Sequence, residues 1–551
     1  MDHSDFDDIL IILGLGKWNL LYYVTFGLHE FAVIGFLFAI TYVAPNVHFS
    51  CDVSQVTEPV SVIEQCTYVI SQNETYNVTT EELQEKCTSW IYNDTYFENT
   101  LTSEFNLVCD DSYLRPFFHT VLTIGGFLGS PINGYLSDRY GRKMLTLITS
   151  LIAIISVLLT TLATNFNIIL VLRFFTGLTT IPTIDTGFTI CMEVCEPRLR
   201  TSVGMLLGVP WAFGTMWWGA LGYMIRDWRW LLRISTIPYY IYLALLLFVS
   251  ESPRWLIVSG SHDLALKAIR RAGKWNKVTL PSDEELLTRM KSIQKSSRKQ
   301  SITEEENGVI KSSLKSRILK NIKQAFVLFR TPELRRITIL TYIVCVVSSL
   351  VYYGISFSAL NFKLDPFMYM IVGGLMEIPA CSLVVPIIVK TGMIPFTAGS
   401  FFICGINILI LAFISSDIKW LTITLAMIGK FSISAAFQAV VLLITEVFPT
   451  EVRMRAMGTS SFFLTIGNIT VPFITELLGS YHAWIPSVIF GIASLLAGIA
   501  TMFLPETRNK HLFETVSQLE EDALRKKNRK GTENTKEAEA LTMNEKPESN
   551  I

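Results

Sequence analysis

The stretch that decides the fold reads Gly134-Tyr135-Leu136-Ser137-Asp138-Arg139-Tyr140-Gly141-Arg142-Lys143. It lies between two long apolar runs and combines two glycines, one acid and three bases. Glycines permit a tight turn and a close helix approach. Asp138 can accept hydrogen bonds at a helix N-terminus and pair with a nearby arginine. Such a loop can act as a latch that forms in one conformation and breaks in another. The alternative is a plain basic loop that sets membrane orientation.

The chain around this stretch is strongly apolar. Of its 551 residues, 50% are hydrophobic and 17% are charged, with a net charge of −1. Soluble domains rarely have this composition, and a near-zero net charge gives no reason to expect nucleic-acid binding. Apolar runs of about 20 residues, each long enough to cross a bilayer as a helix, recur along the chain. We therefore exclude a soluble enzyme and predict an all-α membrane protein with twelve transmembrane helices, at 18–44, 115–136, 144–163, 168–192, 203–225, 230–249, 337–357, 367–389, 394–414, 420–447, 457–478 and 483–504.

Loop charge predicts the orientation of these spans. Segment 52–114 contains twelve acidic residues and one basic residue, Lys86. The loops after spans 2, 4 and 10 and the segment 251–335 are rich in Lys and Arg. Basic loops stay in the cytoplasm, so both termini are predicted to be cytoplasmic and the loop 45–114 extracellular, in a plasma-membrane protein.

The predicted outer loop also carries signs of an oxidising compartment. It has three glycosylation sequons, at Asn73, Asn77 and Asn93, which require exposure outside the cytoplasm. It also holds Cys51, Cys66, Cys87 and Cys109. Four cysteines in such a loop predict two disulfides, with three pairings open.

The chain contains an internal repeat. Glu193 precedes Arg200 by seven residues at the end of span 4, and Glu446 precedes Arg453 by seven residues at the end of span 10. We predict that these four residues change contacts between conformations. The repeat divides the chain into a cytoplasmic N-terminus (1–17), a first half (18–250), a cytoplasmic linker (251–335), a second half (336–504) and a cytoplasmic tail (505–551).

These motifs resemble a known group of transporters. Gly134–Lys143 is similar to the signature loop of the major facilitator superfamily, and Glu251–Leu256 and Pro505–Arg508 resemble segments of sugar porters and organic-ion transporters. The large outer loop, Trp228–Trp230 and Glu446–Arg453 resemble the organic cation, carnitine and organic anion transporters of solute carrier family 22. The resemblance implies the major facilitator fold, with two six-helix halves that rock around a central substrate site.

The sequence departs from this pattern at two positions. Val389–Met393 stands where the repeat would place a second latch, and only its glycine and one base remain. The resemblance therefore does not predict a complete latch in the second half. In span 11, Thr465 occupies a position where cation transporters of the family carry an acid and many anion transporters carry an arginine.

Charged residues inside the predicted spans are the first candidates for substrate binding, because a charge at mid-bilayer usually faces a cavity or a partner. Glu377 is predicted to attract a cation or to form an ion pair with span 10 or 11. Asp185 is predicted to be a second cavity acid or a partner of Arg173. Lys430 is predicted to bind a carboxylate or to extend toward the interface. His29-Glu30 is predicted to line the pathway or to lie near one membrane face.

Polar and aromatic side chains complete the predicted substrate site. Gln438 can hydrogen-bond a polar ligand, and Thr465 is included through its position in span 11. An aromatic cage for an ammonium group is predicted from a set of rings in spans 5 and 7, with Trp211 and Tyr353 preferred over Trp217, Trp218 and Tyr352.

The function predicted from these features is a polyspecific secondary transporter of organic cations or zwitterions, with amine-, carnitine- or β-alanine-like substrates. An organic anion transporter or exchanger of the same family is the alternative, and a non-transporting receptor or scaffold is less favoured. No nucleotide motif or metal-ligand spacing occurs, so no cofactor or metal is expected. The C-terminal Glu548-Ser549-Asn550-Ile551 resembles a PDZ ligand.

Overall fold

A computed structural model describes residues 5–54, 60–63, 65–70, 83–92, 96–306, 326–414, 418–508, 513 and 515–525. The described chain is mainly helical. The first half and the segment that follows it contain α1 (Asp5–Leu13), α2 (Lys17–Leu37), α3 (Ile40–Val43), α4 (Leu101–Glu104), α5 (Leu114–Tyr140), α6 (Arg142–Thr160), α7 (Phe166–Glu193), α8 (Arg200–Leu206), α9 (Gly208–Met224), α10 (Trp228–Ser235), α11 (Ile237–Phe248), α12 (Pro253–Ser259), α13 (His262–Asn276) and α14 (Asp283–Glu306).

The second half repeats this pattern of long helices. It contains α15 (Pro332–Phe357), α16 (Pro366–Thr391), α17 (Met393–Phe413), α18 (Lys419–Val447), α19 (Thr450–Pro472), a π-helix (Phe473–Leu478), α20 (Gly479–Tyr481) and α21 (Ile485–Met502). Short 3₁₀ helices lie at Cys109–Asp111, Pro197–Leu199 and Phe326–Phe329.

Ten segments of the described chain are long and apolar enough to cross a membrane. The other two predicted spans correspond to α5 and to α8 with α9. Helix α5 has 27 residues but carries Arg115 and Asp138, which lower its hydropathy. Helix α9 has only 17 residues and continues from the short α8. The ten segments, α5, and α8 with α9 together form the all-α major facilitator architecture of twelve transmembrane helices in two six-helix halves.

Small residues let the long helices pack closely. A Cβ at Gly177 of α7 would lie 1.8 Å from the backbone oxygen of Leu122 on α5. In the second half, a Cβ at Gly467 of α19 would lie 2.3 Å from the backbone oxygen of Val346 on α15. Glycine therefore brings helix backbones together in both halves. Gly134 was expected to serve the same purpose, but a Cβ there would have no atom within 4 Å.

The predicted outer loop forms a small β-structured region. Strand β1 (Phe49–Cys51) pairs antiparallel with β5 (Trp90–Tyr92), and β2 (Val60–Ile63), β3 (Thr67–Ile70) and β4 (Leu83–Lys86) form a second antiparallel sheet. Disulfides join Cys51 to Cys87 and Cys66 to Cys109. The pairing left open by the sequence is thus resolved: Cys51 lies opposite Trp90 of β5, and its disulfide partner Cys87 comes three residues before that strand residue.

The three sequons lie outside the described residues, so glycosylation stays a prediction. We expect glycosidase to increase the protein's mobility on denaturing gels, and we expect a combined Asn→Gln change at 73, 77 and 93 to remove that shift. Reducing agent should shift mobility independently, because two disulfides cross-link the loop. The Asn→Gln protein should keep the reductant shift, which makes each treatment a control for the other. Unchanged mobility with glycosidase would contradict the assigned sidedness or show an unmodified loop.

Candidate functional site

A buried ion pair lies at the centre of the second half. Lys430 of α18 contacts Glu377 of α16, with 2.7 Å between Nζ and Oε1 and only 3% of each side chain exposed. Tyr352 donates a hydrogen bond to Glu377 Oε1 at 2.6 Å, and Lys430 donates one to Ser356 Oγ at 2.6 Å. Lys430 lies well inside the 29-residue α18. The expectation that it extends toward the interface is therefore wrong, because its charge is neutralised within the bundle.

The ion pair is surrounded by aromatic rings. The Lys430 ammonium lies 3.7 Å from the centre of the Tyr352 ring, close enough for a cation–π interaction. Trp211 of the first half donates a hydrogen bond to the Tyr352 hydroxyl at 2.9 Å. Tyr353 packs edge-on against Tyr352, with 5.1 Å between ring centres. The rings of Trp211, Tyr352 and Tyr353 thus connect the two halves beside the pair.

Two polar groups beside the pair have unused hydrogen-bonding capacity. Glu377 Oε2 is buried and has no hydrogen-bond partner among the residues that the structure describes. Such an unsatisfied acceptor is costly and is available to a ligand. Gln438 is half-buried and, within the described part of the chain, donates a hydrogen bond only to Cys381 Sγ, at 3.6 Å. A Cβ at Gly208 would lie 3.2 Å from Gln438 Nε2, so this amide faces the first half.

Two of the predicted cage residues are not at this site. Trp218 is buried against Tyr42, with 5.4 Å between ring centres, and Trp217 is partly exposed beside Phe31. Thr465 is half-buried, and its hydroxyl donates to the backbone oxygen of Ser461 in its own helix.

Acidic residues of the first half face a different environment. Asp185 of α7 is exposed, and Glu30 of α2 is partly exposed and lies within electrostatic range of it. A carboxylate turned toward lipid would be costly, so both acids need water or a polar partner. His29 is buried instead, with Nε2 3.1 Å from the Tyr239 hydroxyl, and does not line the pathway.

Arg173 does not pair with Asp185, so that alternative is wrong. Its Nη2 donates to the backbone oxygen of Phe36 at 3.0 Å, and its guanidinium lies over the Phe118 ring at 4.2 Å. Twelve residues separate Arg173 from Asp185 on α7, which is about 18 Å along a helix. The side chain of Arg173 is buried between helices, and its charge is withheld from the cavity.

The latch at the end of α5 is built differently from the prediction. Gly141 has a φ of +101°, which makes the turn between α5 and α6. The carboxylate at the N-terminus of α6 is Glu251, which accepts hydrogen bonds from the backbone nitrogens of Arg142 and Lys143 at 3.0–3.1 Å. Asp138 is 77% exposed and lies 3.9 Å from Arg142. The expectation that Asp138 accepts from a helix N-terminus is therefore wrong.

The buried partner of Arg142 is Glu193, which its guanidinium contacts directly. Ser252 donates to Glu193 Oε2 at 2.6 Å, so the carboxylate is held from two sides. Arg200 pairs instead with Asp7 of α1 at 2.7 Å. Arg139 is exposed and donates to the Tyr135 hydroxyl at 3.0 Å, away from this cluster.

The second half retains part of the same latch. Gly392 has a φ of +99°, and Glu506 accepts hydrogen bonds from the backbone nitrogens of Met393 and Ile394 at 3.1–3.2 Å. Thr507 donates to Glu446 Oε2 at 2.6 Å, as Ser252 does to Glu193. The backbone part of the latch is thus preserved, while Met393 replaces the arginine. Arg453 donates to the backbone oxygen of Phe448 at 3.4 Å, and its Nη2 is buried without a partner.

The chain matches the family model described as "Sugar (and other) transporter" over residues 54–518. It is 31% identical to an organic cation transporter protein of Drosophila melanogaster over 78% of this chain and 76% of that one. It is 30% identical to solute carrier family 22 member 6 of Pseudopleuronectes americanus (82% and 77%) and 31% identical to member 2 of Rattus norvegicus (78% and 73%).

The chain belongs to solute carrier family 22 of the major facilitator superfamily. Solved structures agree in fold: the inward-open xylose transporter XylE of E. coli matches 92% of this transporter and 98% of its own chain, with a TM-score of 0.59 and 15% identity. XylE bound to 6-bromo-6-deoxy-D-glucose matches 94% and 99%, with a TM-score of 0.56 and 15% identity. Family and fold are those of membrane transporters of organic ions and not of enzymes.

Sequence reasoning missed three residues that matter in this transporter. Tyr352 was treated only as a cage ring, although it hydrogen-bonds Glu377 and Trp211. Ser356 lies four residues later, on the same face of α15, and this spacing was the available signal. Glu251 entered the sequence analysis only as part of the family-like segment Glu251–Leu256, although an acid after a span can reach the N-terminus of a neighbouring helix.

Proposed function

We propose that this transporter carries organic cations or zwitterions by alternating access and that the substrate binds beside the Lys430–Glu377 pair. The observation that carries the proposal is this ion pair, because its hydrogen-bond partner Tyr352 in turn accepts a hydrogen bond from Trp211 of the first half. Glu377 Oε2 has no hydrogen-bond partner and can accept one from an ammonium group. The Tyr352 ring already contacts a cation, the Lys430 ammonium.

The balance of charge supports a positively charged group on the substrate. Glu30, Asp185 and Glu377 supply three carboxyl groups near the cavity, and Lys430 supplies one base. Arg173 is held between Phe36 and Phe118 and does not offset them. Acidic groups that line a cleft with low-dielectric walls concentrate cations there.

The ion pair itself supports a zwitterion. Burying two charges is costly, and the cost is recovered only while each charge keeps a partner. An ammonium can replace Lys430 at Glu377 while a carboxylate replaces Glu377 at Lys430, so both charges stay paired. A simple cation offers only half of this exchange. An anion would use Lys430 alone, and this is the competing assignment.

We expect Asp185→Asn and Glu30→Gln to raise the half-saturation concentration of a small organic cation about 3- to 10-fold, because each removes one attractive charge from the cavity. Both amides keep the shape of the side chain. The measurement is uptake of one cation, one zwitterion and one dianion at matched surface levels, with Glu521→Gln as a control because Glu521 is exposed in helix 516–525. Selective uptake of the dianion, unchanged by Asp185→Asn and lost in Lys430→Ala, would establish an anion transporter instead. Uptake of none of the three would favour a receptor or scaffold.

The same proposal includes location and chain organisation. We propose a plasma-membrane protein with both termini in the cytoplasm, because the disulfide-bearing region needs an oxidising compartment. We also propose the division of the chain that the repeat predicts, with six-helix halves at 18–250 and 336–504 and a cytoplasmic linker at 251–335. The PDZ-like segment 548–551 lies outside the described residues and stays a proposal, with a PDZ protein as partner.

A further inference from the structure

Two polar contacts join the halves at the disulfide-bearing end of the bundle. Arg115 of α5 lies 3.5 Å from Glu476 of the π-helix, measured between Nη1 and Oε2. One turn further into α5, His119 Nε2 lies 3.1 Å from Asn468 Oδ1 of α19. All four residues face each other across the boundary between the first and second half.

These contacts are buried but loosely made. Only 5% of the Arg115 side chain and 13% of the Glu476 side chain are exposed. Even so, Arg115 Nη1 and Glu476 Oε2 have no hydrogen-bond partner in the described ranges of the chain. The Lys430–Glu377 pair, by comparison, is closed at 2.7 Å and hydrogen-bonded on both sides. A buried pair without hydrogen bonds recovers little of its desolvation cost, so the Arg115–Glu476 contact separates more readily.

The backbone that carries Glu476 is irregular. Phe473–Leu478 forms a π-helix directly after Pro472, where the regular helix α19 ends. Single π turns within helices are frequent at functional sites. Asn361 donates to the backbone oxygen of Thr475 at 3.1 Å and so holds this turn beside the end of α15.

The Arg115–Glu476 and His119–Asn468 contacts lie on the disulfide-bearing side of the aromatic rings at the substrate site. The ring of Phe357 packs edge-on against His119, with 5.3 Å between ring centres. Phe357 also packs against Phe38 and Tyr353. His119 therefore links the polar contacts between α5 and α19 to the rings beside the ion pair.

Helices α5 and α19 contact each other from this upper part to the middle of the bundle. Phe127 and Phe462 still touch near the middle, with 4.8 Å between ring centres. Toward the opposite end, a Cβ at Gly134 of α5 or at Gly458 of α19 would have no atom within 4 Å. The described structure is thus closed between these helices at the disulfide-bearing end.

We propose that Arg115–Glu476 and His119–Asn468 form a gate that closes the substrate site at the disulfide-bearing end and separates to admit substrate. The gate rests on the alternating access proposed above. Its members do not contact the ion pair, so they control access and not substrate choice.

The first test measures access without substrate. In a Phe357→Cys background, a membrane-impermeant maleimide is added from the disulfide-bearing side, and labelling above the parent protein is followed. Glu476→Gln should raise the labelling rate at least about threefold, because losing the pair shifts the population toward the open gate. The reversed pair Arg115→Glu with Glu476→Arg should return the rate toward that of the background. Asp111→Asn, an exposed acid at the same end, is the matched control.

A second test uses a covalent closure. Cross-linking Arg115→Cys with Glu476→Cys by a short bifunctional maleimide should reduce labelling at position 357 to background and lower uptake about 10-fold or more. The two proteins that carry only one of these two cysteine substitutions, treated in the same way, should keep both the labelling at position 357 and the uptake. Labelling that is unchanged by Glu476→Gln, or that persists in the cross-linked protein, would overturn the gate. If labelling rises with Glu476→Gln and falls on cross-linking while no organic ion is taken up, the proposed function is wrong and the gate is still supported.

Discussion

Glu377→Gln should lower uptake of cations and zwitterions at least about 30-fold at matched surface level, because the substrate ammonium loses a buried counter-charge, a loss of about 2 kcal/mol or more. The glutamine keeps the shape of the side chain and can still accept the Tyr352 hydrogen bond. It leaves the Lys430 ammonium, 3% exposed, without a counter-charge. An anion can then pair with Lys430, so uptake of an anionic substrate should be unchanged or improved. The measurement is concentration-dependent uptake of one cation, one zwitterion and one dianion.

The double change Glu377→Gln with Lys430→Met separates a structural role of the pair from a substrate role. Replacing both charges removes the cost of an unpaired buried ion, so surface expression should recover. If the pair binds substrate, uptake stays low despite that recovery. Full recovery of uptake, or wild-type cation uptake in Glu377→Gln alone, would contradict a substrate role. If Asp185→Asn abolishes cation uptake while Glu377→Gln does not, the acid that matters lies in α7.

Arg142→Ala should reduce turnover about 10-fold or more, whereas Asp138→Asn should reduce it only a few-fold. Arg142 contacts the buried Glu193, so its loss leaves a carboxylate without its partner. Asp138 is 77% exposed at 3.9 Å, and exposed pairs contribute only about 0–1 kcal/mol. Turnover is compared with surface level and with half-saturation, because a latch acts on the conformational equilibrium and not on substrate contacts.

The second half offers a matched control for this prediction. Met393 occupies the place of Arg142 next to the Glu506 carboxylate but carries no charge. Met393→Leu keeps a similar volume and should leave turnover within about twofold. Wild-type turnover in Arg142→Ala would remove the latch from the mechanism. A larger effect of Asp138→Asn would show that the exposed acid gains a partner in another conformation.

The class and general organisation of the protein were predictable because they depend on local composition. A span needs only about 20 apolar residues in succession, and α15, α17 and α18 satisfy this almost as predicted. Helix α5 meets the requirement poorly because it carries Arg115, Asn133 and Asp138. Its apolar run of about 20 residues was nevertheless sufficient to predict a span at 115–136.

Candidate charges were also found from the sequence, because an ionisable residue within an apolar run stands out. Their partners were not predictable. Lys430 and Glu377 are 53 residues apart, and only the packing of α18 against α16 brings them together. The contact of Glu251 with the N-terminus of α6 was not predictable either. The sequence assigned that role to Asp138, because Asp138 lies close to α6 along the chain.

The sequence by itself determined that this is a twofold-repeated helical membrane protein with a cysteine-bearing loop, because hydropathy, charge asymmetry and spacing are properties of neighbouring residues. Only the tertiary structure decided which charges are free and which are neutralised. Arg173 is held by Phe36 and Phe118, Lys430 is paired with Glu377, and Asp185 remains exposed. The physical reason is that the free energy of a charge in a membrane protein depends on its partner and on its access to water, and helices distant in the chain supply both.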